Sequence, residues 1–275
     1  MRNFTEENLT DEVVARTGKD CDPRLREVMS SLIRHMHAFV RETRLTPEEW
    51  LQGIQFLTET GKWCDDKRQE FILLSDTMGV SMLVDAIANP TVGNTTESTV
   101  LGPFFRENPP IIKNGGDVSP GIVGKRVDVD CRVLSEDGKP IEGAQIDCWQ
   151  ASPDGGYDSQ IGDGSQHNLR GRLESDASGR FWFETTLPAC YPIPDNGPVG
   201  ELLRKMGRHP WRPGHLHFWV QAPGHRQVIT HLFVRGDKYL DSDVVFGVKE
   251  SLISDFGGAN ERGKLTYDFR LKKAA

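Results

Sequence analysis

The chain lacks most of the features that announce common chemistries. Its five cysteines, Cys21, Cys64, Cys131, Cys148 and Cys190, are odd in number and widely spaced, with no CxxC pair. That excludes a disulfide framework and a cysteine zinc site, and it points to reduced thiols in a reducing compartment. No HExxH segment is present, so the usual zinc-hydrolase ligand set is missing as well. No glycine-rich phosphate loop is visible, so no nicotinamide or flavin is expected. Basic charge is in deficit: 33 Lys and Arg stand against 40 Asp and Glu, for a net charge of -7. This argues against nucleic acid or an anionic membrane as the main partner, and still leaves room for a local positive site. No apolar run reaches membrane-spanning length, so no membrane insertion is expected. The first residues, MRNFTEENLTDEVV, carry acids where a signal peptide needs an apolar stretch, which predicts a cytoplasmic protein.

What remains is an ordinary globular composition, 37% apolar and 27% charged over 275 residues, enough for one large domain or two modest ones. Leu25, Val28, Met29, Leu32, Ile33, Met36, Phe39 and Val40 recur at three and four, which predicts a helix with one buried face after the Asp22-Pro23 cap. A second helix starts at Thr46-Pro47, with Gly61 as its stop. A third spans about Asp66 to Leu74, and a fourth about Met78 to Ile87, ending at Asn89-Pro90. TVGNTTEST, from Thr91, reads as a linker. Beyond it lie short runs with period-two alternation: RVDVDCRVL, AQIDCWQA, GRFWFETTL, HLHFWVQA, QVITHLFV and LTYDFRL. The predicted class is α+β: a helical N-terminal dimerisation and linker domain over residues 1–95, then an antiparallel β-sandwich over residues 96–275 that carries the catalytic, metal-binding site.

The sharpest local signal is His215-Leu216-His217. In a strand, positions i and i+2 share a face, so two imidazoles can meet one metal ion; the plainer reading is two surface histidines. Tyr157 follows Gly155-Gly156 in SPDGGYD, and Tyr191 stands among prolines in PACYPIPDNGP. Each alone is compatible with an ordinary turn tyrosine. Together they are two of only four tyrosines in the chain, set in its most rigid loops. A phenolate is a hard donor that needs a strong Lewis acid at neutral pH, and iron(III) is one. Two phenolates, two imidazoles and one hydroxide would leave iron(III) neutral overall. Arg212 precedes the histidine pair and is either a surface ion-pair member or a charge stabiliser beside a metal. His231, in VITHLFV, is either a core histidine or an acid beside the site.

In this order these residues resemble the intradiol ring-cleaving dioxygenases. The likeness covers nearly the whole chain, through LGPFFR (101–106), DCWQASPDGGYD (147–158), YPIPDNGPVG (191–200), RPGHLHF (212–218) and GDKY (236–239). The resemblance implies one non-haem iron(III) per subunit, held by Tyr157, Tyr191, His215, His217 and a solvent ligand, with Tyr157 and His215 equatorial and Tyr191 and His217 axial. Tyr191, Arg212 and His231 would serve the catalytic steps. It also implies a homodimer built on the N-terminal helices, which in the family often enclose a phospholipid-like molecule.

Within the family the chain looks similar to hydroxyquinol 1,2-dioxygenases, which convert benzene-1,2,4-triol and O2 to 3-hydroxy-cis,cis-muconate, the enol form of maleylacetate. His231 stands where many catechol enzymes carry glutamine, although chlorocatechol enzymes can share it. Asp76, in FILLSD, is either an acceptor for a third ring hydroxyl or a cap for the following helix. The ring slot would be formed by Leu73, Val100, Leu101, Gly102, Pro103, Phe104, Ile193, Pro194 and Val245, with Arg212 also touching substrate. The competing readings are a catechol or chlorocatechol 1,2-dioxygenase and, from another class, a non-catalytic β-sandwich binding module.

Overall fold

The structure is a computed structural model that describes residues 3–65, 68–160, 167–257 and 262–274. Compactness divides it into two units, Met1–Glu59 and Thr60–Ala275, a different point from the change of composition at Thr91.

The first unit is helical. It holds α1 (Leu9–Ala15), α2 (Pro23–Thr43) and most of α3 (Pro47–Lys62). Asp22 caps α2 by accepting a hydrogen bond from the Leu25 N–H at 2.8 Å, with Pro23 in the first turn where its missing N–H costs nothing. Thr46 and Glu49 form a reciprocal capping box at the start of α3 (2.9 and 3.2 Å). The helical period in the sequence is therefore correct. The burial inferred from it is not, because none of α2's residues is buried within this chain. Leu25, Val28, Leu32, Met36 and Phe39 are all exposed, as are Trp50, Leu51, Ile54 and Leu57 on α3. Periodicity reports that a face is apolar; it does not say what covers it.

The second unit opens with α4 (Glu70–Thr77) and α5 (Val80–Ala88). Asp66, the expected start of the third helix, lies outside the described residues. No single helix among those described is long and apolar enough to cross a membrane; α4 and α5 pass that test only as a pair, bent by 76°. The segment read as a linker is tacked to the strands: the Thr96 N–H donates to the Arg270 carbonyl and the Thr99 N–H to Ile229.

Among the described residues ten strands follow: β1 (Arg126–Ser135), β2 (Gln145–Gln150), β3 (Arg170–Glu174), β4 (Arg180–Thr186), β5 (Tyr191–Pro192), β6 (Trp211–Arg212), β7 (His215–Gln221), β8 (Val228–Val234), β9 (Ile253–Ser254) and β10 (Arg262–Leu271). A helix, α6 (Pro198–Lys205), lies between β5 and β6. One sheet has the order β10-β1-β4, the other β3-β2-β7-β8-β9, and β5-β6 is a separate ribbon. The wholly antiparallel sandwich expected from the strand pattern needs one correction, since β1 pairs with β10, and β8 with β9, in parallel. Parallel neighbours need a crossover of a dozen or more residues, and residues 235–252 supply one between β8 and β9.

The core lies between the two larger sheets. Val127, Val129, Cys131 and Val133 of β1 and Phe181 and Phe183 of β4 meet Ile146, Cys148, Leu216, Phe218, Val220 and Leu232 from the other sheet. Alternation then assigns the remaining residues. The other face of the five-stranded sheet carries Trp149, His215, His217 and His231, with His217 directly opposite Trp149 on one side and His231 on the other.

Candidate metal centre

Three local structures bring four donor groups together. β7 supplies His215 and His217 on one face. The turn after β2 supplies Tyr157, and β5 supplies Tyr191, whose backbone pairs with Arg212 in register. The turn depends on Gly155, which adopts φ +88°; a Cβ there would lie 3.3 Å from the Tyr191 Cβ. Gly214 is constrained by space instead, since a Cβ would fall 2.5 Å from the Pro188 carbonyl oxygen. Asp158 anchors the Tyr157 turn. Its carboxylate accepts a bidentate pair from the buried Arg170 on β3 and a 3.5 Å contact from Arg106, and Arg170 also donates to the Phe104 carbonyl at 3.2 Å.

The donor atoms are close. The Tyr157 hydroxyl is 2.9 Å from His217 Nε2 and 3.3 Å from the Tyr191 hydroxyl, and His215 Nε2 is 3.1 Å from His217 Nε2. His215 Nδ1 donates to the Pro213 carbonyl at 2.7 Å, which leaves the Nε2 lone pair facing inward. All four residues are buried. Burial, reinforced by Tyr191, raises the Tyr157 phenol well above its usual range. Burial, with Arg212 adding to it, lowers His215 to about 3. Burial also lowers His217 and His231 far below the ordinary imidazole range. The result is a buried cluster of neutral oxygen and nitrogen donors, in which ionising either phenol requires a cation. Two ligands about 2.0–2.1 Å from an ion, at right angles, lie about 3 Å apart. The observed spacings match, so the donor set fits one metal ion.

His215, His217 and His231 also form a triad in which one ring nitrogen from each lies within 4.8 Å of the others. His231, however, stacks on His215 (ring centroids 4.7 Å, 22°). A ring stacked face to face directs its lone pairs alongside its neighbour's. The two phenols fit the shared centre better. Neither His231 nitrogen completes a hydrogen bond among the described residues, although the Val100 backbone acts on its charge.

Arg212 is buried and fixed. Nε and Nη2 donate to the two oxygens of Asp243 at 3.0 and 3.1 Å, and Nη1 faces His215 Nε2 at 3.3 Å and the Tyr191 hydroxyl at 3.5 Å. Burial works against both charges, but each holds the other: Arg212 is raised and Asp243 lowered from their ordinary values. The surface ion-pair reading of Arg212 is thereby corrected to a buried one. Asp243 in turn accepts from the Val245 and Gly247 N–H groups.

Two apolar groups flank the donors. Leu73, Ile193 and Val245 pack with Val199, Leu203 and Val244. Leu101 and Phe104 pack with Trp149 and both tyrosines, and Phe104 stacks on Tyr157 at 4.2 Å. Gly102 lies against His217; a Cβ there would be 3.4 Å from the ring. Val100 and Pro194 are half-buried and Pro103 is exposed; none of the three joins either apolar group. Asp76 lies inside α4 and is buried, close enough to Arg212 and Asp243 for their charges to act on it; burial raises its pKa. The capping reading of Asp76 does not hold, because α5 starts after Gly79 with no side-chain cap; Ser81, whose hydroxyl pairs with that of Ser75 at 2.8 Å, is close enough to Asp76 to act on its charge.

Sequence reasoning missed Trp149, Asp158, Arg170 and Asp243. Asp158 was signalled by its place beside Tyr157. Asp243 is one of two acids in LDSD, and only the fold selects it.

Comparison with known proteins agrees with this geometry. The family model described as Dioxygenase matches residues 100–273, and Catechol dioxygenase N terminus matches residues 22–96. The 6-chlorohydroxyquinol 1,2-dioxygenase of Cupriavidus pinatubonensis is 50% identical over 98% of this chain and 99% of its own. The hydroxyquinol 1,2-dioxygenase of a Rhizobium species is 49% identical over 92% and 86%. The crystal structure of hydroxyquinol 1,2-dioxygenase from Pseudomonas putida superposes with a TM-score of 0.92 at 46% identity, covering 98% of this chain and 99% of that one. On sequence, fold and domain order alike, the chain belongs to the intradiol ring-cleavage dioxygenase family.

Proposed function

We propose that the chain is a hydroxyquinol 1,2-dioxygenase, opening benzene-1,2,4-triol between its two adjacent hydroxyl-bearing carbons. Both atoms of one O2 enter the product, 3-hydroxy-cis,cis-muconate. The observation that carries the reaction is the buried meeting of two phenols and two imidazoles at 2.9–3.3 Å. Tyr157, Tyr191, His215 and His217 would hold one iron(III). Bound there, it supplies a Lewis acid strong enough to keep phenols ionised and to withdraw electron density from an adjacent diol.

The chain's own groups divide the remaining work. Tyr191, with Arg212 Nη1 at 3.5 Å, takes a proton from a substrate hydroxyl. Arg212, held by Asp243, stabilises negative charge that develops on the ring and its oxygens. His231 is held neutral by burial and has hydrogen-bonding capacity left to offer an oxygen. Leu73, Ile193, Val245 and Phe104 hold the ring by apolar contact, with Val100, Leu101, Gly102, Pro103 and Pro194 completing the slot. Asp76 is the polar exception in that wall and bonds the third hydroxyl, which catechol lacks. Relatives about half identical to this chain and named for hydroxyquinols support that choice.

The same reading makes the molecule a homodimer through residues before about Thr91, with a phospholipid-like molecule between apolar helix faces. The exposed residues of α2 and α3 support it. Five free thiols are in keeping with the cytoplasm.

The test is oxygen uptake by the purified protein with catechol, 4-chlorocatechol, hydroxyquinol and 6-chlorohydroxyquinol. One O2 per ring is expected, fastest with a hydroxyquinol. The protein should be red to brown from phenolate-to-iron(III) charge transfer, and Tyr157→Phe should weaken both the colour and iron retention. An active, colourless wild type holding zinc would refute the iron assignment. No uptake with any diol would return the chain to a binding module.

A further inference from the structure

We propose that Arg208 is a positioning residue that sets the spacing of the two segments, α4 and Val244-Val245, that build one side of the slot, and with it the selectivity among ring-substituted diols. The proposal rests on the reading of the slot as a site for a catechol-type ring.

α6 ends in a Schellman-type turn: the Arg208 N–H donates to Leu203 O, the Gly207 N–H donates to Arg204 O, and Gly207 adopts φ +68°. This fixes the point from which the Arg208 side chain departs. Its guanidinium then joins two backbones. Nη1 donates to the Thr77 carbonyl at 2.6 Å and Nη2 to the Val244 carbonyl at 3.0 Å. Thr77 is the last residue of α4 and follows Asp76 directly, while Val244 directly precedes Val245. One planar cation therefore ties the segment that presents the acid to the segment that presents the aliphatic contact, each one residue from the group assigned to the ring. No carboxylate lies within salt-bridge distance of Arg208 among the described residues. Its charge is directed to two carbonyls, one of them at the negative end of a helix.

A second observation shows that the loop is held rather than merely resting there. Phe246 adopts φ +60°, a conformation a bulky side chain rarely takes, and its ring is 53% exposed, so burial does not account for the strain. The ring lies under the Arg208 guanidinium at 5.0 Å and against Gly79, where a Cβ would be 3.5 Å away. Gly79 is the junction of α4 and α5. Arg208, Phe246 and Gly79 thus lock the loop to the end of α4 directly behind the slot.

Lysine cannot replace this fork, because a single ammonium nitrogen does not span two carbonyls in the same geometry. Methionine keeps the stem over Phe246 and removes both donors. The experiment compares kcat/KM for hydroxyquinol and catechol in iron-loaded wild type, Arg208→Met, Arg208→Lys and Phe246→Gly, with iron content and visible absorbance recorded for each. The ratio of the two kcat/KM values should shift on the order of tenfold in Arg208→Met, mainly through KM, with little recovery in Arg208→Lys. Iron content and colour should be unchanged. Phe246→Gly, which removes the ring from beneath the guanidinium and leaves both arginine-to-carbonyl donors in place, should shift the ratio in the same direction, and it decides the matter if the arginine variants do not fold. A ratio within twofold of wild type in the folded variants overturns the proposal, whichever diol the wild type prefers. The wild-type ratio by itself tests the hydroxyquinol reading, and a wild type that cleaves neither diol overturns both.

Discussion

Asp76 and Asp243 show how one residue type takes different work from its surroundings. Both are buried carboxyls in the same unit. Asp243 has a bidentate arginine, whereas Asp76, one turn beyond Leu73 on α4, has no arginine paired to it. Burial therefore raises Asp76, whereas Arg212 holds Asp243 down. Losing a hydrogen bond to a charged group costs about 1.5–3 kcal/mol, about tenfold to a hundredfold in rate. Asp76→Ala should lower kcat/KM for hydroxyquinol by that factor beyond any loss for catechol, with Asp76→Asn between. An unchanged ratio in steady-state assays would confine Asp76 to a structural part. Asp243→Asn should act differently. It leaves a buried guanidinium with one weak acceptor, so stability should fall by about 3 kcal/mol and kcat for every diol by at least about tenfold, with iron content intact. Urea unfolding and metal analysis on the same preparation would separate these effects.

At the scale of elements, the donor cluster depends on turns that only glycine can make. Gly155→Ala places a side chain at φ +88° and against Tyr191, and should cost about 1–2 kcal/mol in thermal unfolding while loosening iron retention. Folded protein with unaltered iron affinity would show that the turn has slack. The glycines around Tyr157, like the alternation of HLHFWVQ, were legible in the sequence because each has a local cause. β3 was not. RGRLE reads as surface, yet Arg170 is buried because Asp158 neutralises it, and Arg172 pairs with Asp147 at 2.6 Å. A charged residue can be buried on a strand when its partner comes from another segment, and no local window records that partner. α6 was hidden for a similar reason: the Gly197-Pro198 start reads as loop, and its Val199 N–H is satisfied by Glu70, more than a hundred residues away. The slot residues were legible only through resemblance, since Leu73, Ile193 and Val245 share no pattern and meet only in the fold.

At the scale of the whole molecule, three buried neutral histidines make stability acid-sensitive. Their folded pKa values lie below the ordinary 6.5, so the unfolded chain binds protons that the folded one does not. Their contribution is complete above about pH 6.5 and is lost as pH falls below it. Each group costs about 1.4 kcal/mol per pH unit, about 4 kcal/mol for the three together. Urea unfolding of the iron-depleted chain at pH 7, 6 and 5 should show this slope steepening toward pH 5; a flat profile would mean that the imidazoles are solvated. Light scattering at micromolar concentration should give twice the chain mass, and a monomer there would remove the role assigned to α2 and α3. The alternation in β7 has a further consequence for how the chain tolerates change. A strand that writes the core in one column and the chemistry in the other has a reading frame. One residue inserted between Leu216 and His217 would exchange the columns beyond it, sending the His217 imidazole among the core phenylalanines and Phe218 onto the face that carries the chemistry. A second insertion would restore phase. Length changes in β2, β7 and β8 should therefore survive only in pairs, as in a text where every second letter belongs to another message.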